Sequence, residues 1–188
     1  MSEPKDPFDV HPGPLWPPWD KLVVDYDPAW PQEFEAERAR IAALIGPVAL
    51  AIHHYGSSAV PGMPAKPVID ILVETAPGVP VDEASIERLA SAGYVHRRAT
   101  LDPAVLFLGR GHPRTHHLQF FPRGSELITK RLALRDYLLA HPAEASAYAA
   151  VKQKLAAEQS DREYTWQKRV YLDPVVARAC AWYAEQGR

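Results

Sequence analysis

The feature that most constrains the fold is residues 53–74, where a proline-rich connector separates two short apolar segments. Residues 48–55 are mostly small or β-branched and end at a glycine, which predicts a strand rather than a helix. The connector contains three prolines, which exclude a helix or a regular ladder: Pro61, Pro64 and Pro67. Residues 68–73 then predict a second strand, so a stiff connection should join two strands of one sheet.

The turn after the first predicted strand has the composition of an anion-binding loop. Gly56, Ser57 and Ser58 offer backbone N–H groups and hydroxyls without bulky side chains, which suits a phosphate. A glycine and two serines after a strand also form ordinary turns, so this pattern alone does not assign a ligand. Lys66 lies at the end of the connector, just before the second predicted strand, and adds a positive charge near the turn in the sequence.

Asp70 lies in the middle of the second predicted strand, on the face opposite Ile69 and Ile71. A buried carboxylate without a partner costs on the order of several kcal/mol, so it must be paired, hydrogen-bonded or bound to a metal ion. Two interpretations remain open at this point. Asp70 either forms a structural ion pair with Lys66 or an arginine, or it belongs to a functional site.

A later predicted strand, residues 115–121, carries two adjacent histidines. If its apolar side packs in the core, His117 and Gln119 face a pocket with Asp70, and His116 is structural. A shift of one residue would reverse the two histidines, so both remain candidates. His117 would then be a base, a phosphate donor, a metal ligand or a satisfied structural histidine.

Helices are predicted at residues 31–44, 82–92, 129–140, 142–158 and 174–186. Short strands are predicted at residues 21–26, 94–98 and 105–108. Arg131 and Arg135 are four residues apart on one helix face, as are Tyr148 and Lys152. Each pair would either hold phosphates over the sheet or form a solvated surface.

The expected fold class is α/β (α+β), with a small mixed or antiparallel sheet, an N-terminal helix on one face and helices concentrated at the C-terminal end. Residues 1–20 are rich in proline and predict an extended arm, and residues 21–188 predict a single domain. Polar residues that converge in a cleft between the sheet and the C-terminal helices would be the default site.

Several segments resemble, in order, the GrpB family of the DNA-polymerase-β-like nucleotidyltransferase superfamily. They are Tyr26 to Pro31, His54 to Gly62, Ala65 to Ile71, His116 to Leu118, Leu134 to Leu138, Tyr148, and Tyr164-Thr165 with Lys168. The resemblance covers roughly residues 22–170. The central motif is Gly56-Ser57, a spacer and then the carboxylate of Asp70 on an apolar strand.

The resemblance implies that Gly56, Ser57 and Ser58 hold a nucleoside triphosphate and that Asp70 binds Mg²⁺. Lys66 or Arg135 would neutralise the phosphate charge that develops during nucleotidyl transfer to a small-molecule acceptor.

The sequence departs from that pattern at two positions. The superfamily has a second carboxylate two residues after the first, where this chain has Leu72. Glu74 shares the face of Asp70 but lies about 13 Å along the strand, too far for a two-metal site. The family also tends to carry a histidine where this chain has Gln119.

A second class of function therefore stays open. The chain would be either a nucleotide-binding or anion-binding module without metal chemistry, or an enzyme that uses His54, His117 and Asp70 for acid–base catalysis on a small molecule. The same histidines and aspartate would also suit Zn²⁺ or another transition metal.

The net charge and the cysteine content limit the classes of partner and of covalent cross-link that we expect. The net charge of −2 argues against a nucleic-acid-binding protein, and no segment is long and apolar enough to predict a membrane span. Cys180, the single cysteine, cannot form an internal disulfide. We expect a cytoplasmic protein whose partner is a small molecule or nucleotide, and its oligomeric state is left open.

Overall fold

A computed structural model describes residues 23–96, 106–158 and 161–188 of the chain. The strands are β1 (Ala51–Tyr55), β2 (Ile69–Thr75), β3 (Tyr94–His96), β4 (Leu106–Arg110) and β5 (His116–Pro122). The helices are α1 (Trp30–Ile45), α2 (Glu83–Ser91), α3 (Glu126–Ala140), α4 (Pro142–Glu158) and α5 (Asp161–Glu185). Two short 3₁₀ turns span Gly46–Val48 and Ser57–Ala59.

The five strands form one mixed sheet in the order β1-β2-β5-β4-β3. β2 and β5 are parallel, and the other neighbours are antiparallel. The register places Asp70 opposite Tyr55 on one side and opposite His117 on the other. The predicted α/β class with a small mixed sheet and C-terminal helices is confirmed.

The two faces of the sheet are covered by different helices. On the inner face, α1 packs on the strands, and the core there includes Phe34, Ile41, Ile71 and Leu118. Burying each such large apolar side chain stabilises the fold by about 1.5–3 kcal/mol. On the outer face, α3 packs over Leu72 and Phe121. The outer face is therefore apolar at one end and polar at the other, where the cleft opens.

Several predicted boundaries differ from the structure. The first strand begins at Ala51 rather than at residue 48, because Pro47 lies in the 3₁₀ turn before it. The predicted strand at residues 21–26 is reduced, among its described residues, to one bridge between Val24 and Ala65.

The helix predicted at residues 174–186 instead begins at Asp161 and contains Pro174. The helix continues past Pro174, and Val175 and Ala179 just beyond it are buried. Their packing offsets the loss of the backbone hydrogen bond that a proline cannot donate. α3 begins at Glu126, earlier than predicted, because the side chain of Ser125 caps it by accepting from the N–H of Leu127.

The prediction of an arm at residues 1–20 lies outside the described residues, as do parts of the strands predicted at 94–98 and 105–108. Within the described ranges, no helix combines the length and the apolar character needed to cross a membrane.

Candidate active-site cleft

A cleft of about 540 Å³ opens between the outer face of the sheet and the C-terminal helices. Four strands and three helices contribute to its walls. The lining includes Tyr55, Ser57, Ser58, Lys66, Asp70, Phe107, His117, Gln119, Arg131, Lys152, Tyr164, Lys168 and Leu172. A smaller cavity of about 200 Å³ shares Asp70 and Arg131 with the cleft and adds Gly56, Arg135 and Tyr148.

Asp70 and His117 form the polar centre of the cleft. Nδ1 of His117 lies 2.8 Å from Oδ1 of Asp70, and Nε2 lies 2.7 Å from a terminal nitrogen of Arg114. An arginine can only donate, so Nε2 accepts and the proton of the neutral imidazole resides on Nδ1. His117 therefore donates to Asp70, and of the two registers left open by the sequence the structure has the one that places His117 in the cleft.

His116 is the structural histidine of the pair. It is buried on the inner face and hydrogen-bonds with Thr115 and Arg110. Burial, reinforced by the charge of Arg110, lowers its pKa to about 4.

The Gly56 turn presses directly against Asp70. Gly56 has φ 74° and ψ −167°, a conformation that is essentially restricted to glycine. A Cβ atom at this position would lie 2.5 Å from Oδ2 of Asp70. Ser57 lines both cavities, whereas the buried hydroxyl of Ser58 hydrogen-bonds with Nε2 of His54 at 3.1 Å. Glycine at position 56 thus lets the turn and the carboxylate come together.

The structure does not place His54 in the cleft. Its side chain lies on the inner face, where it stacks on Phe34 with ring centroids 4.7 Å apart. Burial lowers its pKa to about 4, although the nearby charge of Asp70 acts in the opposite direction. The expected cluster of His54, His117 and Asp70 is therefore divided between the two faces of the sheet.

Gln119 and Arg131 form a second polar group in the cleft. Oε1 of Gln119 accepts a hydrogen bond from the Tyr55 hydroxyl at 3.1 Å and another from Arg131. The Arg131 guanidinium also lies over the rings of Phe121 and Tyr55, 4.6 and 5.1 Å from their centroids. These contacts hold the Arg131 cation at the edge of the cleft.

Arg135 lies farther along α3 and borders only the smaller of the two cavities. It donates to the backbone carbonyl of His54 at 2.8 Å and pairs with Asp136 at 2.7 Å. Part of its hydrogen-bonding capacity is therefore used in holding α3 against β1.

Leu72 and Glu74 give the cleft no second carboxylate. Leu72 is fully buried in an apolar cluster with Phe121, Ile128 and Leu132. Glu74 pairs with His53 at 2.8 Å and with Arg123 at 2.9 Å, and these hydrogen bonds hold its pKa below the usual value even though burial acts against them.

The donor set in the cleft does not fit two metal ions. Within the described ranges, no group of three histidine, cysteine, aspartate or glutamate side chains could hold a metal ion. A single Mg²⁺ is a different case, because this ion commonly uses one protein carboxylate together with substrate phosphates and water. Asp70 fits that requirement.

Lysines from three segments line the cleft: Lys66 from the connector, Lys152 from α4 and Lys168 from α5. The ammonium groups of Lys66 and Lys168 lie 5.1 and 5.4 Å from the ring centroid of Tyr164. Burial lowers the pKa of Lys168, and the charge of Asp70 partly restores it. Lys168 and Tyr164 were not among the predicted site residues, although their i, i+4 spacing places them on one face of a helix and could have indicated them.

Three similarities to known proteins are in sequence. The family model described as GrpB protein matches residues 22–178. "UPF0157 protein PA4798" of Pseudomonas aeruginosa is 37% identical over an alignment of 192 residues, which covers 96% of this chain and 77% of that relative. "UPF0157 protein YqkA" of Bacillus subtilis is 33% identical over 171 residues and 89% of this chain. This chain spans about half (50%) of the length of YqkA.

A solved structure shows the same fold. The conserved protein GrpB from Enterococcus faecalis superposes with a TM-score of 0.75 at 28% sequence identity. The match covers 86% of this chain and 99% of that protein.

Proposed function

This chain belongs to the GrpB family, and we propose that its cleft binds a nucleoside triphosphate and transfers the nucleotidyl group to a small-molecule acceptor. The observation that carries the proposal is the charge of the cleft wall. Lys66, Arg131 and Lys168 line a cavity in which Asp70 is the one carboxylate among the described lining residues. A cavity with this excess of cations favours a polyanionic ligand.

The phosphates would lie between the Gly56 turn and the lysines. Ser57 offers a hydroxyl at this place, and Lys66 and Lys168 approach it from the connector and from α5. Desolvation strengthens the attraction between these cations and phosphate, because the local dielectric constant is lower than in water. The cavity volume of about 540 Å³ is in the usual range for a small-molecule site.

Asp70 would hold one Mg²⁺ together with the phosphates of the ligand. When bound, the ion would neutralise charge on the phosphates and help to orient them. The cationic side chains would supply the remaining neutralisation that a second metal ion provides in two-metal sites. In this arrangement His117 fixes Asp70 through the hydrogen bond to Oδ1, and Arg114 fixes the tautomer of His117.

A second candidate function rests on the same histidine. The hydrogen bonds from Arg114 to His117 and from His117 to Asp70 orient the histidine and the aspartate as an acid–base pair. The buried side chain of Leu72 leaves no second carboxylate for a two-metal site. A nucleotide-binding or anion-binding module, or a metal-free enzyme acting on a small phosphorylated molecule, would use the same cations.

The two functions are separated by measuring pyrophosphate release. The purified protein is incubated with each of the four nucleoside triphosphates, Mg²⁺ and a pool of small molecules that carry hydroxyl or amino groups. Nucleotidyl transfer predicts Mg²⁺-dependent pyrophosphate release that is lost in Asp70→Asn. Triphosphate binding without pyrophosphate release from any nucleotide would favour the second candidate.

A further inference from the structure

Lys152 is a buried lysine in the wall of the cleft. It lies on α4, is only 2% exposed, and donates a hydrogen bond from Nζ to the carbonyl oxygen of Pro64. Pro64 belongs to the connector that carries Lys66, so the contact ties α4 to the loop beside the candidate phosphate position. The amino group thus has a fixed position in the same cavity as Asp70 and Ser57.

The surroundings of Lys152 disfavour a charged ammonium group. In the ranges the structure describes, no carboxylate forms an ion pair with it, and its Nζ lies 5.4 Å from the ring centroid of Tyr148. The groups whose charges act on it are Lys168 and Lys66, which repel an ammonium ion, and Asp70, which attracts it.

Burial, aided by the charge of Lys168, lowers the pKa of Lys152 to about 7. Near neutral pH the Lys152 amine is therefore uncharged in a large fraction of the protein molecules. An uncharged lysine amine is a nucleophile, and desolvation next to another cation is one of the recognised ways to activate it. An uncharged amine binds phosphate poorly. The phosphate-binding role that the sequence left open for Lys152 is therefore disfavoured.

We propose that Nζ of Lys152 is a nucleophile that attacks the α-phosphorus of the bound nucleoside triphosphate and carries the nucleotidyl group as a phosphoramidate. This inference rests on the proposed function, because it needs the triphosphate in the cleft.

The reaction has two steps. In the first step, the lone pair of Nζ forms a nitrogen–phosphorus bond while the bond from the α-phosphorus to the bridging oxygen breaks. Pyrophosphate leaves with that electron pair and takes the proton lost from Nζ. In the second step, an acceptor hydroxyl attacks the same phosphorus, the nitrogen–phosphorus bond breaks, and Lys152 recovers a proton from the hydroxyl.

This route compensates for the missing second carboxylate. Direct transfer needs the acceptor hydroxyl to be activated beside the metal, and at Leu72 the chain has an apolar side chain buried under α3. An amine with a lowered pKa needs no such activation for the first step. In the second step the departing amine itself takes the proton of the acceptor.

The test is covalent labelling without an acceptor. The intact protein is incubated at pH 7.5 with each nucleoside triphosphate labelled at the α-phosphate and with Mg²⁺, denatured, and digested for peptide mapping by mass spectrometry. The proposal predicts an acid-labile, alkali-stable nucleotidyl group on the peptide that contains Lys152. Lys152→Met should lose at least 90% of the label, whereas Lys154→Met, at an exposed position on the same helix, should retain it.

Calorimetric titration of the folded protein with the same triphosphates and Mg²⁺ separates the two proposals. Triphosphate binding without label on Lys152, or with label on another residue, would overturn the covalent route and leave the binding function standing. Absence of binding by every triphosphate would overturn both. The mapping of the wild-type peptide does not depend on the variants, so it decides the question even if Lys152→Met fails to fold.

Discussion

Gly56 and Asp70 are in such close contact that a Cβ atom at position 56 would lie 2.5 Å from Oδ2 of the aspartate. The turn after β1 and the centre of β2 therefore form one unit, in which the backbone of the turn approaches the carboxylate more closely than a residue with a Cβ atom could without displacing it.

Gly56→Ala should disrupt this unit. The conformation at φ 74° is strained for alanine and costs about 1–3 kcal/mol, and the methyl group must displace Asp70. We expect lower stability in urea unfolding and at least a tenfold loss of triphosphate affinity. Gly62→Ala is the matched control, because Gly62 has φ 77° but a Cβ there meets nothing within 4 Å. Equal losses of affinity in both variants would show that the contact with Asp70 is unimportant.

Leu72→Asp should destabilise the protein rather than create a two-metal site. The new carboxylate would enter the apolar cluster with Phe121, Ile128 and Leu132, where an unpaired charge costs about 3 kcal/mol or more. Leu50→Asp is the control at a leucine that is 42% exposed, and it should change the stability by less than about 0.5 kcal/mol. A stable Leu72→Asp variant that binds two metal ions would contradict the inferred geometry.

Asp70→Asn should affect ligand binding in two opposite ways. The amide oxygen can still accept from Nδ1 of His117, so the fold should be retained. Loss of the negative charge among the lysines should tighten binding of metal-free triphosphate, and the additional affinity that Mg²⁺ confers on the wild type should disappear. Calorimetry with and without Mg²⁺ measures both effects. If Mg²⁺ still improves affinity in the variant, the ion does not bind at Asp70.

The buried histidines should make the fold sensitive to acid. Burial lowers the pKa values of His54 and His116 to about 4, whereas both return to about 6.5 when the chain unfolds. Between these values the unfolded state binds more protons, so stability should fall as the pH decreases from about 6.5 to about 4. His54→Phe, which can keep the stacking on Phe34, should reduce the slope of stability against pH in that window. An unchanged slope would mean that His54 is not buried as described.

Strand alternation predicts which side chains share the face of the cleft, but it does not predict every residue that lines the cleft. Alternation along β2 and β5 predicts that Asp70, His117 and Gln119 share a face, because side chains in a strand alternate with period two. His54 was grouped with Asp70 and His117 as a candidate for acid–base catalysis, yet it lies on the other face. Its own strand alternation separates it from Tyr55, which does line the cleft.

The roles of Arg114, Lys168 and Lys152 depend on tertiary packing. Arg114 hydrogen-bonds with His117 from the turn before β5, and Lys168 reaches the cleft on a helix that continues through a proline. Lys152 was paired with Tyr148 as a phosphate-binding candidate, but its burial and lowered pKa follow from packing against the connector and the other lysines. Spacing within one helix cannot reveal such desolvation.

The central proposal is that the cationic wall of the cleft binds a nucleoside triphosphate, and calorimetric titration tests it most directly. Each of the four triphosphates is titrated into the wild type, Lys66→Met, Lys168→Met and the control Lys154→Met, with Mg²⁺ present. A hydrogen bond to a charged group contributes about 1.5–3 kcal/mol, so each cleft variant should lose roughly tenfold to a hundredfold in affinity. The control should match the wild type. Absence of binding by all four triphosphates, or equal affinities in all four proteins, would contradict the proposal.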